Sequence, residues 1–178
     1  AGSDRATPIG DGVPGFHRWP RWSPDGRHIA LSAGSRIYEV SVDSGVARVL
    51  VAPDSGAAYV AFPTWSPDGK EIAYVQDGAV LVRRVKGGAV RRLSSTPNTP
   101  HSLQWSPDGK LIALVSGNTE FALGTHPWVS IANVGNAGPS SIWVLPVRGG
   151  PPTRVTDGLS LNTSPVWMPA GRALLYVS

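Results

Sequence analysis

Histidine and carboxylate are the residue types with which this chain could do chemistry, and it holds 4 His and 12 Asp+Glu in 178 residues. Converging histidines bind metals or relay protons near neutral pH. His17, His28, His101 and His126 fall in separate segments with no local ligand spacing, so any such centre would have to be gathered by the fold. A solitary loop histidine is ordinarily solvated or hydrogen-bonded. The expectation is therefore no catalytic residue, no metal site and no cofactor. Cysteine is absent, which removes disulfides and thiolate sites without fixing a compartment. No Gly-x-Ser-x-Gly nucleophile elbow occurs either.

Three aspartates do share a context. "RWSPDGRHIAL" (Arg21–Leu31), "TWSPDGKEIAY" (Thr64–Tyr74) and "QWSPDGKLIAL" (Gln104–Leu114) place Asp25, Asp68 and Asp108 identically, and "VWMPAGRALLY" (Val166–Tyr176) is a worn fourth copy. In Ser-Pro-Asp-Gly, Pro presets φ for a type I turn, Asp suits the next position, and Gly takes the left-handed conformation that closes a bulged hairpin. The aspartates are expected to bond nearby backbone amides rather than metal or substrate. Trp22, Trp65, Trp105 and Trp167 end the strand before each turn and are expected to fill repeated core slots.

The elements around these turns are short strands. After each turn comes an apolar run such as Ile72-Ala73-Tyr74-Val75. A third strand follows at Arg36–Val42, Ala79–Val85 and Ser141–Val147, ending in a Gly-bearing turn, and a fourth begins at Ala47, Ala89 and Pro152. Such runs are too short and too closely bounded for helices. Gly 21 and Pro 17 fall between them at regular intervals, the mark of an all-β chain rich in turns. Successive tryptophans lie 43, 40 and 62 residues apart. Four strands per period near 40–45 residues describe the blades of a β-propeller.

The repeat resembles the TolB-type, or WD40-like PD40, propeller motif, in which Trp-Ser-Pro-Asp-Gly-(Lys/Arg) precedes a strand like Ile-Ala-(Phe/Tyr)-Val-Ser. Three copies follow it closely. The fourth departs at Met168 and Ala170, and the Gly-His and Trp-Asp dipeptides of ordinary WD40 blades are absent. The reading is one propeller segment over 1–178: an outer strand within 5–12 (Ala6–Ile9), blade one at 17–52, blade two at 59–95, blade three at 101–157 with a long loop at 117–140, and a partial blade four at 162–178. TolB-type propellers carry six or more blades, so the resemblance implies part of a larger ring, or a half-ring that pairs with another copy.

In such a meander the SPDG and Gly-Gly turns share one face, and the irregular connections share the other. Variable loops on a rigid scaffold are where binding resides. The expected binding residues are His17, Arg18, Trp19, Tyr59, His101 and Asn162, with Phe121, His126 and Trp128 from the long loop. The paired arginines Arg83-Arg84 and Arg91-Arg92 lie on outer strands of blade two, where they discourage sheet-to-sheet association.

Hydrophobic content of 41% with 16% charged residues describes a globular chain. A net charge of +4 is too small an excess to argue for nucleic acid, and no apolar stretch approaches the roughly 20 residues of a membrane span. The resulting expectation is a non-catalytic platform for a protein or peptide partner. The resemblance implies an extracytoplasmic, periplasmic or envelope setting. The alternative is the gating propeller of a prolyl-oligopeptidase-type serine peptidase or of a polysaccharide-degrading enzyme.

Overall fold

The computed structural model describes residues 9–54, 59–95, 100–117 and 138–178. These form fourteen strands and, among the described residues, no helix. Blade one is β1 (Arg18–Trp22), β2 (His28–Ala33), β3 (Arg36–Ser41) and β4 (Ala47–Val51). Blade two is β5 (Val60–Trp65), β6 (Glu71–Gln76), β7 (Ala79–Arg84) and β8 (Arg91–Ser95). Blade three is β9 (Pro100–Trp105), β10 (Leu111–Ser116), β11 (Ser141–Pro146) and β12 (Thr153–Arg154), and a two-stranded sheet follows from β13 (Thr163–Trp167) and β14 (Leu174–Val177). Each sheet is an antiparallel meander in chain order. The described residues form a β-propeller arc of three four-stranded blades and a two-stranded fourth sheet.

Side-chain alternation explains why such sheets stack. On β6 and β7, Ile72, Tyr74, Ala79 and Leu81 face blade one, where they bury Ala30, Ile37, Leu50 and Val51. Their neighbours Ala73, Val75, Val80 and Val82 face the other way, onto Leu103, Ile112, Leu114 and Leu145 of blade three. Both faces of blade two are apolar because both are covered. Ile9 and Val13 lie against Leu31, Tyr38 and Val40 on the outer face of blade one. Within the segment expected to supply an outer strand, residues 9–12 carry no strand; the remainder lies outside the described residues.

The tryptophans also join the blades. Trp65 Nε1 donates to the Arg21 carbonyl at 3.1 Å, and Trp167 Nε1 donates to the Gln104 carbonyl at 3.1 Å. In each case the indole reaches the residue before the tryptophan of the preceding blade. Trp105 departs: its Nε1 is buried without a partner, and its main-chain N–H takes Thr64 Oγ1 at 3.2 Å. Trp65 and Trp105 are 7% exposed, as expected of core residues, but Trp22 is 60% exposed. The core role assigned to Trp22 therefore fails: among the described residues no blade lies before it.

The turn chemistry is as expected. Gly26, Gly69, Gly109 and Gly171 all have φ between 67° and 74°. The Asp25, Asp68 and Asp108 carboxylates accept from the main-chain N–H two residues on, at 3.0–3.1 Å. Each aspartate also accepts from the turn serine hydroxyl at 2.6–2.7 Å. Those serine oxygens accept in turn from the N–H of His28, Glu71 and Leu111 at 2.9 Å. The worn copy lacks this side-chain network yet keeps the backbone of the turn, with Gly171 N–H on the Met168 carbonyl at 2.8 Å.

A candidate binding groove on the irregular face

The first strand of every blade contains a distortion that the sequence reading missed. Between Ala61↔Val75 and Thr64↔Ala73, β5 advances three residues while β6 advances two. The same extra residue occurs in β1, β9 and β13. At each bulge one non-glycine residue is left-handed: Trp19 (φ 52°), Phe62 (φ 56°), Ser102 (φ 52°) and Ser164 (φ 53°). Such conformations cost about 1–3 kcal/mol each and persist where surrounding packing enforces them. A signal was present. Pro20, Pro63 and Pro165 follow the bulged residue, and proline, which cannot donate to a ladder, belongs in a strand only where pairing is interrupted.

The bulges bring the irregular face together. The Trp19 ring lies 4.0 Å from Phe62, centroid to centroid and inclined 39°, and Phe62 lies 5.7 Å from His101. The Arg18 guanidinium stands 5.8 Å from the Trp19 ring centroid, a cation–π arrangement. One row of rings thus runs from blade one to blade three.

Beside it opens a groove of about 390 Å³. Its walls are the approach to β1 (Gly15, Phe16, Arg18, Trp19), the end of β2 with its turn (Ser32–Ser35), and the entry to β5 (Tyr59, Val60, Ala61). The Gly34-Ser35 turn has positive φ at both residues, 52° and 62°, the requirement of a type I′ hairpin, and this keeps the wall two residues long. Phe16 is 86% exposed, while Trp19 and Tyr59 are half-buried. Burial, aided by the charge of Asp77, raises the Tyr59 pKa. The Ser32 hydroxyl is buried beside the groove without a hydrogen-bond partner. Exposed aromatic rings, an arginine and an unused hydroxyl are the elements of a recognition surface.

Of the expected site residues, Arg18, Trp19 and Tyr59 meet in this groove. His17 is exposed nearby, its Nε2 donating to the Val13 carbonyl at 3.0 Å. His101 and Asn162 lie elsewhere and are spent on the fold. His101 Nε2 donates to the Gly117 carbonyl at 2.8 Å, so the neutral ring accepts the Ser102 hydroxyl at Nδ1, 2.9 Å away. Burial lowers its pKa, partly opposed by the Gly117 bond. Asn162 Nδ2 donates to the carbonyls of Ser140 and Ser160 at 2.8 and 2.9 Å. Phe121, His126 and Trp128 lie outside the described residues. Gly117, with φ 98°, leaves room for the far end of that loop: a Cβ there would come within 2.9 Å of the Pro139 carbonyl. Phe16 and Ser32 were absent from the expected set; Phe16 is nonetheless an aromatic residue in a Gly/Pro-rich stretch beside residues already singled out.

A larger cleft, about 490 Å³, opens on the SPDG face between blades one and two. Within its lining, Ser23 bonds Asp25 and Glu39 pairs with Arg48. Among the described residues no group of three or more His, Asp and Glu gathers where a metal could sit, and no helix is long and apolar enough to cross a membrane.

Fold and groove together define the class: a β-propeller with one repetitive and one irregular face. Among solved structures, the chain is similar to TolB from Acinetobacter baumannii, at 20% identity and TM-score 0.66 over 92% of this chain and 38% of that one. It is similar to a chain of the nidogen/laminin complex, at 14% identity and TM-score 0.67 over 89% of this chain and 55% of that one. A TolB-type protein from Agrobacterium tumefaciens matches at 19% identity and TM-score 0.54, over 92% of this chain and 70% of that one. These likenesses establish a TolB-like propeller fold. The chain spans about two fifths and about half of the first two chains. No family model matches it, and no curated protein matches it in sequence.

Proposed function

We propose that the chain is a non-catalytic, TolB-like binding platform that holds a protein or peptide partner in the groove between blades one and two. The observation that carries this reading is the meeting of Phe16, Arg18, Trp19 and Tyr59 around the unused Ser32 hydroxyl. Rigid aromatic anchors lose little side-chain entropy on binding. The nidogen/laminin neighbour is a propeller-containing complex of proteins, which is consistent with such a role. The TolB-type likeness supports an extracytoplasmic setting. Peptides selected by display against the intact chain test the groove: they should lose at least about tenfold in affinity against Phe16→Ala and Tyr59→Ala, roughly 1.4 kcal/mol. Unchanged affinity in both would contradict it.

The proposal includes pairing of two copies as half-rings. Val166, Leu175, Tyr176 and Val177 of the β13–β14 sheet are exposed, as is Trp22 of blade one. Trp22 holds the place from which Trp65 and Trp167 bind a preceding blade, so one copy's β13–β14 sheet offers the matching surface. Light scattering over a concentration series should show twice the 18.7 kDa chain mass. A monomer throughout would contradict pairing.

A further inference from the structure

Each complete blade ends in an outer strand, β4, β8 or β12, whose far edge has no partner strand among the described residues. An open edge offers main-chain N–H and C=O groups to any extended chain, and lysine or arginine on it keeps like edges apart. If such protection were the whole role of the outer cations, the three edges would be guarded alike. They are not. β4 is as long as β8, yet it carries only Arg48, which is tied to Glu39 of β3, and its Val49 is 45% exposed. β12 carries only Arg154, which lies over the Trp143 ring and donates to the Asp157 carbonyl. β8 carries Arg91 and Arg92, with Arg83 and Arg84 on the neighbouring β7 and Lys86 in the connection between them.

Register spreads these cations over both sides of one edge. Arg92 stands opposite Leu81 and Arg91 opposite Val82. Arg92 and Arg83 are therefore diagonal neighbours on the side of Leu81, toward blade one, and Arg91 and Arg84 on the side of Val82, toward blade three. Such diagonals span about 7–8 Å. Arg91 is engaged: its Nη2 lies 3.3 and 3.5 Å from the Glu71 carboxylate, and its Nη1 donates to the Val147 carbonyl. Glu71 is the residue across the ladder from Arg84, so the acid nearest Arg84 is already shared. Arg84, Lys86 and Arg92 are exposed, and none has a hydrogen bond or ion pair among the described residues. Residues 59–95 hold six Lys and Arg against three Asp and Glu, and so carry three of the chain's four net positive charges. Like charges gathered on one edge repel, and a partner's carboxylates would relieve that repulsion while fixing register.

The occupant that fits brings negative charge to both sides of a strand edge. A flexible polyanion would use the cations and leave the edge unpaired. An uncharged strand would use the edge and leave the cations facing one another. In an extended peptide successive side chains point to opposite faces, so two adjacent acidic residues can meet Arg92 on one side and Arg84 on the other while the main chain pairs with β8. We propose that β8 is a docking edge for an acidic, extended segment of a partner protein, added as a fifth strand to blade two. β8 lies at the opposite edge of its sheet from β5, whose entry lines the groove, so this inference stands apart from the groove reading.

Nuclear magnetic resonance titration of the intact chain at low salt tests this with three peptides. They are acetyl-Val-Thr-Glu-Glu-Val-Thr-amide, its Gln-Gln counterpart, and the acidic peptide N-methylated on both glutamates, which blocks one main-chain donor toward each edge. The acidic peptide should shift the β8 amides of Arg91–Ser95, slow their hydrogen exchange, and bind at least about tenfold more tightly than the Gln-Gln peptide. N-methylation should remove the exchange protection and most of the affinity. Arg84→Gln combined with Arg92→Gln, both at exposed positions, should abolish the preference for the acidic peptide and leave the urea midpoint of the chain unchanged. Equal binding of the acidic and Gln-Gln peptides, or no saturable shift at β8, would overturn the proposal. Equal binding of the methylated and parent peptides would reduce the edge to a patch for any polyanion and overturn strand addition. Shifts at Trp19 and Tyr59 in place of β8 would overturn the edge site and leave the groove standing.

Discussion

The two faces of this propeller are built on opposite rules. On the SPDG face the same serine, aspartate and glycine recur in three blades, and the serine and aspartate side chains bond within their own turns. On the other face each blade differs. The connection from second to third strand is two residues long in blade one (β2–β3) and in blade two (β6–β7), while residues 117–140 stand there in blade three (β10–β11). Here a hydroxyl is left unused, bulky residues are left-handed, and aromatic rings meet solvent. Repetition serves closure of the sheets; departure from repetition is what the proposed binding groove rests on.

If the repeated face is structural, damage there should cost stability first. Trp105 is packed in the blade two–three core at 7% exposure, so Trp105→Ala should cost about 3–5 kcal/mol. Trp22→Ala, at 60% exposure, should fall far below that. Equilibrium unfolding in urea checks both, and equal losses would break the distinction between buried and exposed joints.

Within the turn, Gly69→Val should cost about 1–2 kcal/mol or more, because a β-branched residue is forced to φ 68°. The strain is conformational, since the added Cβ would meet only Pro24 Cδ at 3.8 Å. Asp68→Ala should cost less, because the fourth copy keeps its turn with Ala170. The reverse order in unfolding experiments would assign Asp68 a task beyond the turn.

His101 sharpens the comparison from the irregular face. Burial depresses its folded pKa below the unfolded value of about 6.5. Its contribution to stability is then whole above about pH 6.5 and is lost as pH falls toward the folded pKa, since the unfolded state binds the proton more readily. Urea midpoints should decline over that window in the wild type, and His101→Asn should flatten the decline. A wild-type profile that is already flat would contradict a buried neutral ring. The smallest stability effect should come from Phe16→Ala, within about 0.5 kcal/mol, at a residue that is 86% exposed. That variant should lose partner affinity without losing the fold.

The blades were legible because one four-strand period recurs and each turn carries residues of restricted φ. The bulges were less legible: proline marks three of them, but Leu103 follows the fourth, and no rule of alternation predicts Trp19 or Phe62 at positive φ. The irregular face could be read from the unequal lengths of its loops. Which of its residues are available could not, because availability depends on partners distant in sequence. His101 and Asn162 look like their neighbours along the chain, yet Gly117 and Ser140 occupy them. Phe16 and Ser32 matter through the gap between two blades, which no single repeat contains.

The most direct test of the binding platform is to map a display-selected peptide onto the intact chain by backbone amide shifts. The account predicts that the largest shifts fall at Gly15–Trp19, Ser32–Ser35 and Tyr59–Ala61, with the SPDG turns at Pro24–Arg27, Pro67–Lys70 and Pro107–Lys110 unmoved. Shifts centred on those turns would place recognition on the repeated face and contradict it.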